Sequence, residues 1–213
     1  MEILYSDDRV AVCLKPPGIL STDEPGGMPE LIRRTLGDDS AAVRSVHRLD
    51  RAVGGVMVYA RTRRAAADLS RQIEDGRFEK TYMAVVQGVP AAPRGVMEDY
   101  LLRDRAARKT FVADEENPGA QRAVLSYDCL AAAEGFSLLK IRLHTGRTHQ
   151  IRCQLSARNL PIAGDKKYGG AGEYPVALWS CALRFFHPRT GQEMRFFQRP
   201  PERYPWNLFS ITE

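Results

Sequence analysis

The chain has 213 residues, 44% hydrophobic and 27% charged, with a formal net charge of +5. That is enough apolar material for a sizeable core, while no run approaches the roughly 20 apolar residues of a membrane helix. The acids in MEILYSDDRVAV are unlike a secretory leader, four scattered cysteines (Cys13, Cys129, Cys153, Cys181) form no C-x-x-C pair and so argue against a disulfide framework, and the surplus of basic residues suits a polyanionic partner without demanding one.

RVAVCLK, residues 9–15, alternates apolar and other residues and stops at Pro16-Pro17-Gly18, which predicts a strand ending in a turn. SVHRLDRAVGGV follows at 45–56 and crowds His47, Arg48 and Asp50 against an apolar, glycine-containing run. GGVMVYAR, 54–61, suits a buried strand. Thr62 is placed to cap a helix with Ala65, Leu69 and Ile73 on one face, and Gly76 to end it. RFEKTYMAVVQG, 77–88, predicts another strand, closed by Gly88 and Pro90. Residues 103–121 are charged and contain Asn117-Pro118-Gly119, which predicts a mobile loop or hairpin rather than a linker.

RAVLSYDCLAA and FSLLKIRLH predict an antiparallel pair around Glu134-Gly135. In HTGRTHQIRCQL, 144–155, Gly146 turns the chain, Thr148 is expected to cap a helix, and Ile151 and Leu155 face the core. ALWSCALRFFH and EMRFFQ flank a hairpin loop at 187–192. Strands outnumber helices and most connections are too short for parallel crossovers. The expectation is an α+β fold with a largely antiparallel mixed sheet and flanking helices.

Residues 47–50, HRLD, have two readings. One is a charged turn capping a strand, with Asp50 accepting backbone hydrogen bonds. The other makes Asp50 a reacting group. A kinase catalytic loop is excluded, because a leucine interrupts H-R-D and Gly55 stands where an asparagine is needed. His144, His149 and Cys153 invite a zinc reading, but their spacing matches no zinc pattern and no fourth ligand is evident. A basic helix start that binds phosphate or a carboxylate fits that segment better. Tyr82, taken alone, reads as a core residue.

Together these segments resemble, in order, the RluA-type pseudouridine synthase family. ILYSDDRVAVCLKPPGILS resembles its opening strand pair and K-P-x-G turn, HRLD its catalytic-aspartate motif, and FEKTYMAVVQG its tyrosine motif. HTGRTHQIRCQL with the later NLPIAGDKKYGG is similar to its third motif. The likeness runs to about Gly170, and the C-terminal strands fit more loosely. It implies a pseudouridine synthase fold with a central catalytic cleft. It also implies that 1–213 is a single catalytic domain without the N-terminal accessory RNA-binding domain of some relatives. The implied activity is isomerisation of specific uridines in ribosomal or transfer RNA to pseudouridine. The implied partner is RNA, with no membrane, metal or cofactor, for a monomer in the cytoplasm.

By the same resemblance Asp50 is the catalytic nucleophile. An unperturbed aspartate, with a pKa of about 3.9, is ionised at neutral pH and needs no activation. Whether it attacks the ribose or the base, or removes a ribose proton, stays open. Arg152 matches the arginine that pairs with it. Tyr82 matches the tyrosine that packs on the uracil and helps remove the carbon-5 proton. Arg48 matches the arginine that fills the space left by a flipped uridine. His47 holds the loop or contacts RNA, and Arg147 and His149 support the loop or touch the RNA backbone. Asp50, Tyr82 and Arg152 are expected to converge in one basic cleft. One departure stands out: Val53-Gly54-Gly55 replaces the usual Thr-Ser-Gly, losing two hydroxyls. Two other readings compete. A non-catalytic RNA-binding protein has no need of Asp50, Tyr82 and Arg152 together, and a glycosidic-bond hydrolase needs a second carboxylate.

Overall fold

The computed structural model describes residues 1–211. In chain order it contains β1 (Ile3–Ser6), β2 (Val10–Lys15), α1 (Met28–Leu36), β3 (Arg44–Ser45), β4 (Gly54–Ala60), α2 (Arg63–Glu74), β5 (Glu79–Gln87), β6 (Arg94–Asp104), β7 (Lys109–Ala113), β8 (Gln121–Ala133), β9 (Phe136–Leu143), α3 (Gln150–Ser156), β10 (Leu178–Phe186) and β11 (Glu193–Phe197). The mixed arrangement of strands with three helices is α+β, as expected. No helix among the described residues is long and apolar enough to cross a membrane. The chain divides into two compact units, Met1–Lys80 with Ser180–Arg199, and Thr81–Trp179 with Pro200–Glu213.

In the first unit the strands run in the order β1-β2-β4-β10, with β3 also on β4 and β11 on β10. Antiparallel register sets Val10 opposite Ala60 and Lys15 opposite Gly55. Strand period then puts Val56, Val58 and Ala60 of β4 on one face. There they pack with Val10, Val12, Leu183, Phe185 and Phe78, against Ala65 and Leu69 of α2. Each fully buried Val, Leu or Phe contributes about 1.5–3 kcal/mol. The α2 reading holds at both ends: the Thr62 side chain accepts from the Ala65 N–H, and Gly76 follows in the left-handed region. Gln72 occupies a buried place on this helix. Its amide donates to the Phe186 carbonyl at 2.7 Å and accepts the Phe186 N–H at 2.8 Å, so one side chain stands in for a neighbouring strand. Helix α1 lies outside the elements expected from pattern. Pro29 sits in its first turn and Gly37 adopts φ 67 just past its end, which bounds a nine-residue helix.

In the second unit the order is β5-β9-β8-β6-β7. The hairpin of β8 and β9 turns at Glu134-Gly135, both at positive φ, where a two-residue turn matches the strand twist. Residues 103–121 form an ordered hairpin arm: β6 pairs with β7 from Tyr100↔Ala113 to Asp104↔Lys109. Helix α3 buries residues 150–155, and its polar side chains find partners, the Gln154 carbonyl oxygen excepted. The Gln154 amide donates to Asp99, Met97 and Ala123, while Gln150 accepts from Thr145 and Arg147 and donates to Val124. The helix begins one residue later than expected. Its cap position is His149, at φ 54, with no side-chain cap bond, so the expected Thr148 cap is absent, and Gln150 accepts the Arg147 N–H of the preceding turn.

Candidate active site

In the first unit Asp50 lies on the loop between β3 and β4, and the residues on either side of it are clamped by the segment 15–21. Ser21 Oγ donates to the Leu49 carbonyl at 3.0 Å. The Gly18 N–H donates to the Arg51 carbonyl at 2.7 Å, and Arg51 Nε returns a bond to the Gly18 carbonyl at 2.8 Å. Lys15, wholly buried, sends its ammonium to three carbonyls: Ile19 at 2.6 Å, Pro16 at 3.0 Å and Arg51 at 3.3 Å. Burial pushes its pKa down to about 8; the Arg51 charge acts the same way and the Asp50 charge opposes both. The K-P-x-G turn is therefore a brace for the Asp50 loop, and Lys15 and Ser21, which the sequence did not single out, hold it.

His47 supplies a third support. Its Nε2 accepts the Val58 N–H at 3.2 Å on the edge of β4, just past the β3 pairing of Ser45 with Tyr59. An accepting Nε2 places the proton on Nδ1. Burial, with repulsion from Lys80, pushes the His47 pKa down to about 3, so the ring is neutral. Of the two roles open to His47, its contacts supply the loop-holding one. Arg48, next to it, is exposed.

The departure at 53–54 has a physical basis at Val53, and the glycine that follows, which the family pattern shares, has its own. The Val53 N–H donates to the Asp50 carbonyl at 3.0 Å, and its side chain is buried, where a hydroxyl needs a partner and a methyl does not. Gly55 adopts φ +125, and a Cβ there lies 2.2 Å from the Ser180 carbonyl oxygen. Only glycine fits.

In the second unit Arg152 projects from α3 and is buried. Its Nε and Nη2 donate to the two carboxylate oxygens of Asp165 at 2.6 and 2.7 Å, a bidentate pair that fixes the guanidinium plane. The guanidinium carries five N–H donors, and this pair uses two. Its Cζ also lies 5.0 Å over the Tyr168 ring, and Lys109 Nζ lies 5.1 Å from the same ring. The Tyr168 hydroxyl accepts the Thr110 N–H at 2.8 Å and meets His149 Nδ1 at 2.9 Å. Burial raises the Tyr168 pKa against the opposing pull of Thr110 and Arg152. Gly164 precedes Asp165 at φ +77, with room for a Cβ denied by the Tyr174 carbonyl 2.5 Å away. The structure thus brings Arg152 and His149 into one network with Asp165 and Tyr168. Those last two stood in the quoted motif without a role. Tyr82 lies on β5 in this unit and is buried. Arg147 is exposed and donates from Nε to the Arg122 carbonyl at 3.0 Å.

Residues 9–157 match the family model described as RNA pseudouridylate synthase. The chain is 34% identical over 204 residues to the dual-specificity RNA pseudouridine synthase RluA of Escherichia coli strain K12, covering 91% of this chain and 90% of the relative. It is 35% identical over 206 residues to the RluA of Yersinia pestis, covering 92% and 97%. Among solved structures it resembles human RNA Pseudouridylate Synthase Domain Containing 4, with a TM-score of 0.78 at 24% identity over 94% of this chain and 88% of that one, a likeness of fold.

Proposed function

The chain belongs to the RNA pseudouridylate synthase family and is an RNA pseudouridine synthase, and on that premise we propose that Asp50 is its nucleophile, acting on uridines of ribosomal or transfer RNA. The observation that carries this reading is the braced loop. Residues 49 and 51 are held by Ser21, Gly18 and Lys15, which is the support a reacting side chain needs to keep its direction. In this reading Asp50 breaks the bond between ribose and base, the base rotates, and a carbon–carbon bond to carbon 5 replaces the lost one. Tyr82 packs on the uracil and helps take the carbon-5 proton. Arg152 favours the ionised form of Asp50 and orients it, with its plane preset by Asp165. Arg48, exposed beside the pinned His47, replaces the extruded base in the stack, while Arg147 and His149 serve the RNA backbone and the loop. Residues 1–213 work as one catalytic domain and as a monomer in the cytoplasm.

The test is release of tritium from RNA labelled at uridine carbon 5, combined with mapping of pseudouridines in total RNA from cells with and without the gene. Wild type should release tritium. Asp50→Asn should lower the rate at least about 10⁴-fold, the scale of losing a reacting group, and leave RNA binding largely intact. Full activity in Asp50→Asn, or no release from transfer or ribosomal RNA, overturns the reading.

A further inference from the structure

The first unit carries a second basic feature, away from the Asp50 loop. A cavity of about 140 Å³ is lined by Arg9, Arg64, Ala65, Pro188 and Arg189. It is far below the roughly 300–1,000 Å³ of pockets that enclose whole small molecules. Three guanidiniums border it. Asp8 answers two of them, Arg189 Nη2 at 2.7 Å and Arg9 Nε at 3.3 Å. Arg9 Nε is buried and makes no hydrogen bond in spite of that proximity. Among the described residues the Arg64 side chain has neither an ion pair nor a hydrogen bond; Asp8 is the acid paired with the other two arginines, and the Asp7 carboxylate stands against the Arg9 backbone.

The cavity is built, not merely charged. Asp7 accepts the Arg9 and Val10 N–H groups at 2.8 Å and meets His187 Nε2, also at 2.8 Å. His187 Nδ1 in turn accepts the Arg189 and Thr190 N–H groups at 3.3 and 3.2 Å. The buried His187 ring and the partly exposed Asp7 carboxylate therefore fix the backbone under both Arg9 and Arg189. The third wall is the first turn of α2, where Arg63 and Arg64 stand and no acid does. A helix start favours negative charge, so two arginines there oppose the local field unless an anion joins them.

The register places this cavity. Arg9 adjoins the Val10 end of β2, and Lys15, the brace of the Asp50 loop, closes the other end. Six residues of strand separate the two, roughly 20 Å at about 3.3 Å per residue.

We propose that this cavity binds a backbone phosphate of the substrate RNA, roughly 20 Å along the strand from the Asp50 loop. The proposal rests on the RNA-modifying reading above. Guanidinium forks match phosphate oxygens, and the volume admits a phosphate but no base with its sugar. Arg64 and Arg189 are exposed, which lets a polymer continue past the site.

The test compares the wild-type protein with the double variant Arg64→Gln/Arg189→Gln, and with the charge-matched control Arg34→Gln/Arg195→Gln elsewhere on the surface. Affinity for total transfer RNA and total ribosomal RNA is measured across a potassium chloride series. The cavity variant should bind about tenfold more weakly, and its log–log salt slope should fall by about 0.7–0.9, the signature of one lost phosphate. Its single-turnover tritium release at saturating RNA should match wild type. The control should leave the slope unchanged. An unchanged slope in the cavity variant, or an equal fall in the control, overturns the proposal. So does a thermal shift with inorganic phosphate that the cavity variant loses while its RNA affinity stays intact, which marks a site for the free anion. Tritium release by wild type scores the enzyme reading separately from these binding slopes.

Discussion

The loop that carries Asp50 and the helix that carries Arg152 are held in opposite ways. Around Asp50 the supports are carbonyls and amides of residues on either side, met by Ser21, Gly18, Lys15 and the neutral ring of His47. Around Arg152 the support is a charge on the functional group itself, the buried Asp165 carboxylate, with the Tyr168 ring beneath. The contrast follows from the side chains. A short carboxylate takes much of its direction from the backbone beneath it, whereas a long guanidinium has several more torsions and needs a grip on its head. Both places put glycine where a Cβ meets a carbonyl, Gly55 after one and Gly164 in the other.

The contrast breaks most sharply at Gly55. Gly55→Ala adds a Cβ 2.2 Å from the Ser180 carbonyl oxygen, at φ +125, and the atoms it meets are all Ser180 backbone, which cannot swing aside as a side chain can. A loss of more than about 4 kcal/mol in chemical denaturation is expected. Wild-type stability in the triple variant Val53→Thr/Gly54→Ser/Gly55→Ala would show that the Val53-Gly54 pair, not the close approach, sets the requirement. Next comes Asp165→Ala, which strands the buried Arg152 charge and should cost about 3–5 kcal/mol. Asp165→Asn keeps the shape and one acceptor. It should cost less stability yet still lower the maximal rate of tritium release, because the guanidinium loses its bidentate partner. If the two variants lose rate only in proportion to unfolded protein, the grip on Arg152 has no part in catalysis.

Much of this was legible from pattern. The run at 54–60 is buried along its whole length, the Thr62 cap and Gly76 stop bound α2, and Glu134-Gly135 turns a hairpin. What escaped did so for local reasons. Gly26-Gly27-Met28-Pro29 combines turn residues that hide a helix start: the proline sits in the first turn of α1, where its missing N–H costs nothing. In β6 the deeply buried residues are Met97 and Leu101, four apart, a spacing that points to a helix as readily as to a strand. The chemical partners were harder still. Asp165 grips Arg152 across 13 residues and a turn, and no periodicity links them. Lys15 ends an alternating strand beside two prolines, where a lysine ordinarily reaches water, and only the three carbonyls around it make it an interior residue.

Lys15 sharpens the comparison at a smaller scale. Lys15→Met fills similar volume but leaves the Ile19, Pro16 and Arg51 carbonyls without their donor. Removal of a buried charge offsets part of that loss, and a net destabilisation of about 2–3 kcal/mol is expected. Because Arg51 adjoins Asp50, tritium release should fall further than stability alone explains. A variant that is destabilised yet turns over normally when folded would reduce the brace to a purely structural role.

The smallest effect at neutral pH, and the most specific, belongs to His47. Its folded pKa of about 3 lies below the roughly 6.5 of an unfolded chain, so the unfolded state takes up a proton that the folded state refuses. Stability from this group is complete above pH 6.5 and is lost as pH falls toward 3, by at most about 1.4 kcal/mol per pH unit. Glu193 runs the same way over a lower window, since its arginine partners hold it down at about 2 against an ordinary 4.5. Between pH 6.5 and 5, then, His47 acts ahead of Glu193. His47→Gln keeps an acceptor for the Val58 N–H and removes the titration. Urea denaturation of the two proteins across that window should give a flatter acid limb for the variant by close to one proton, with tritium release near wild type at pH 7.5. Parallel limbs would mean that the ring is protonated in the folded loop. The Val58 N–H could not then be donated to Nε2, and the loop that carries Asp50 would have to be held at that end by something else.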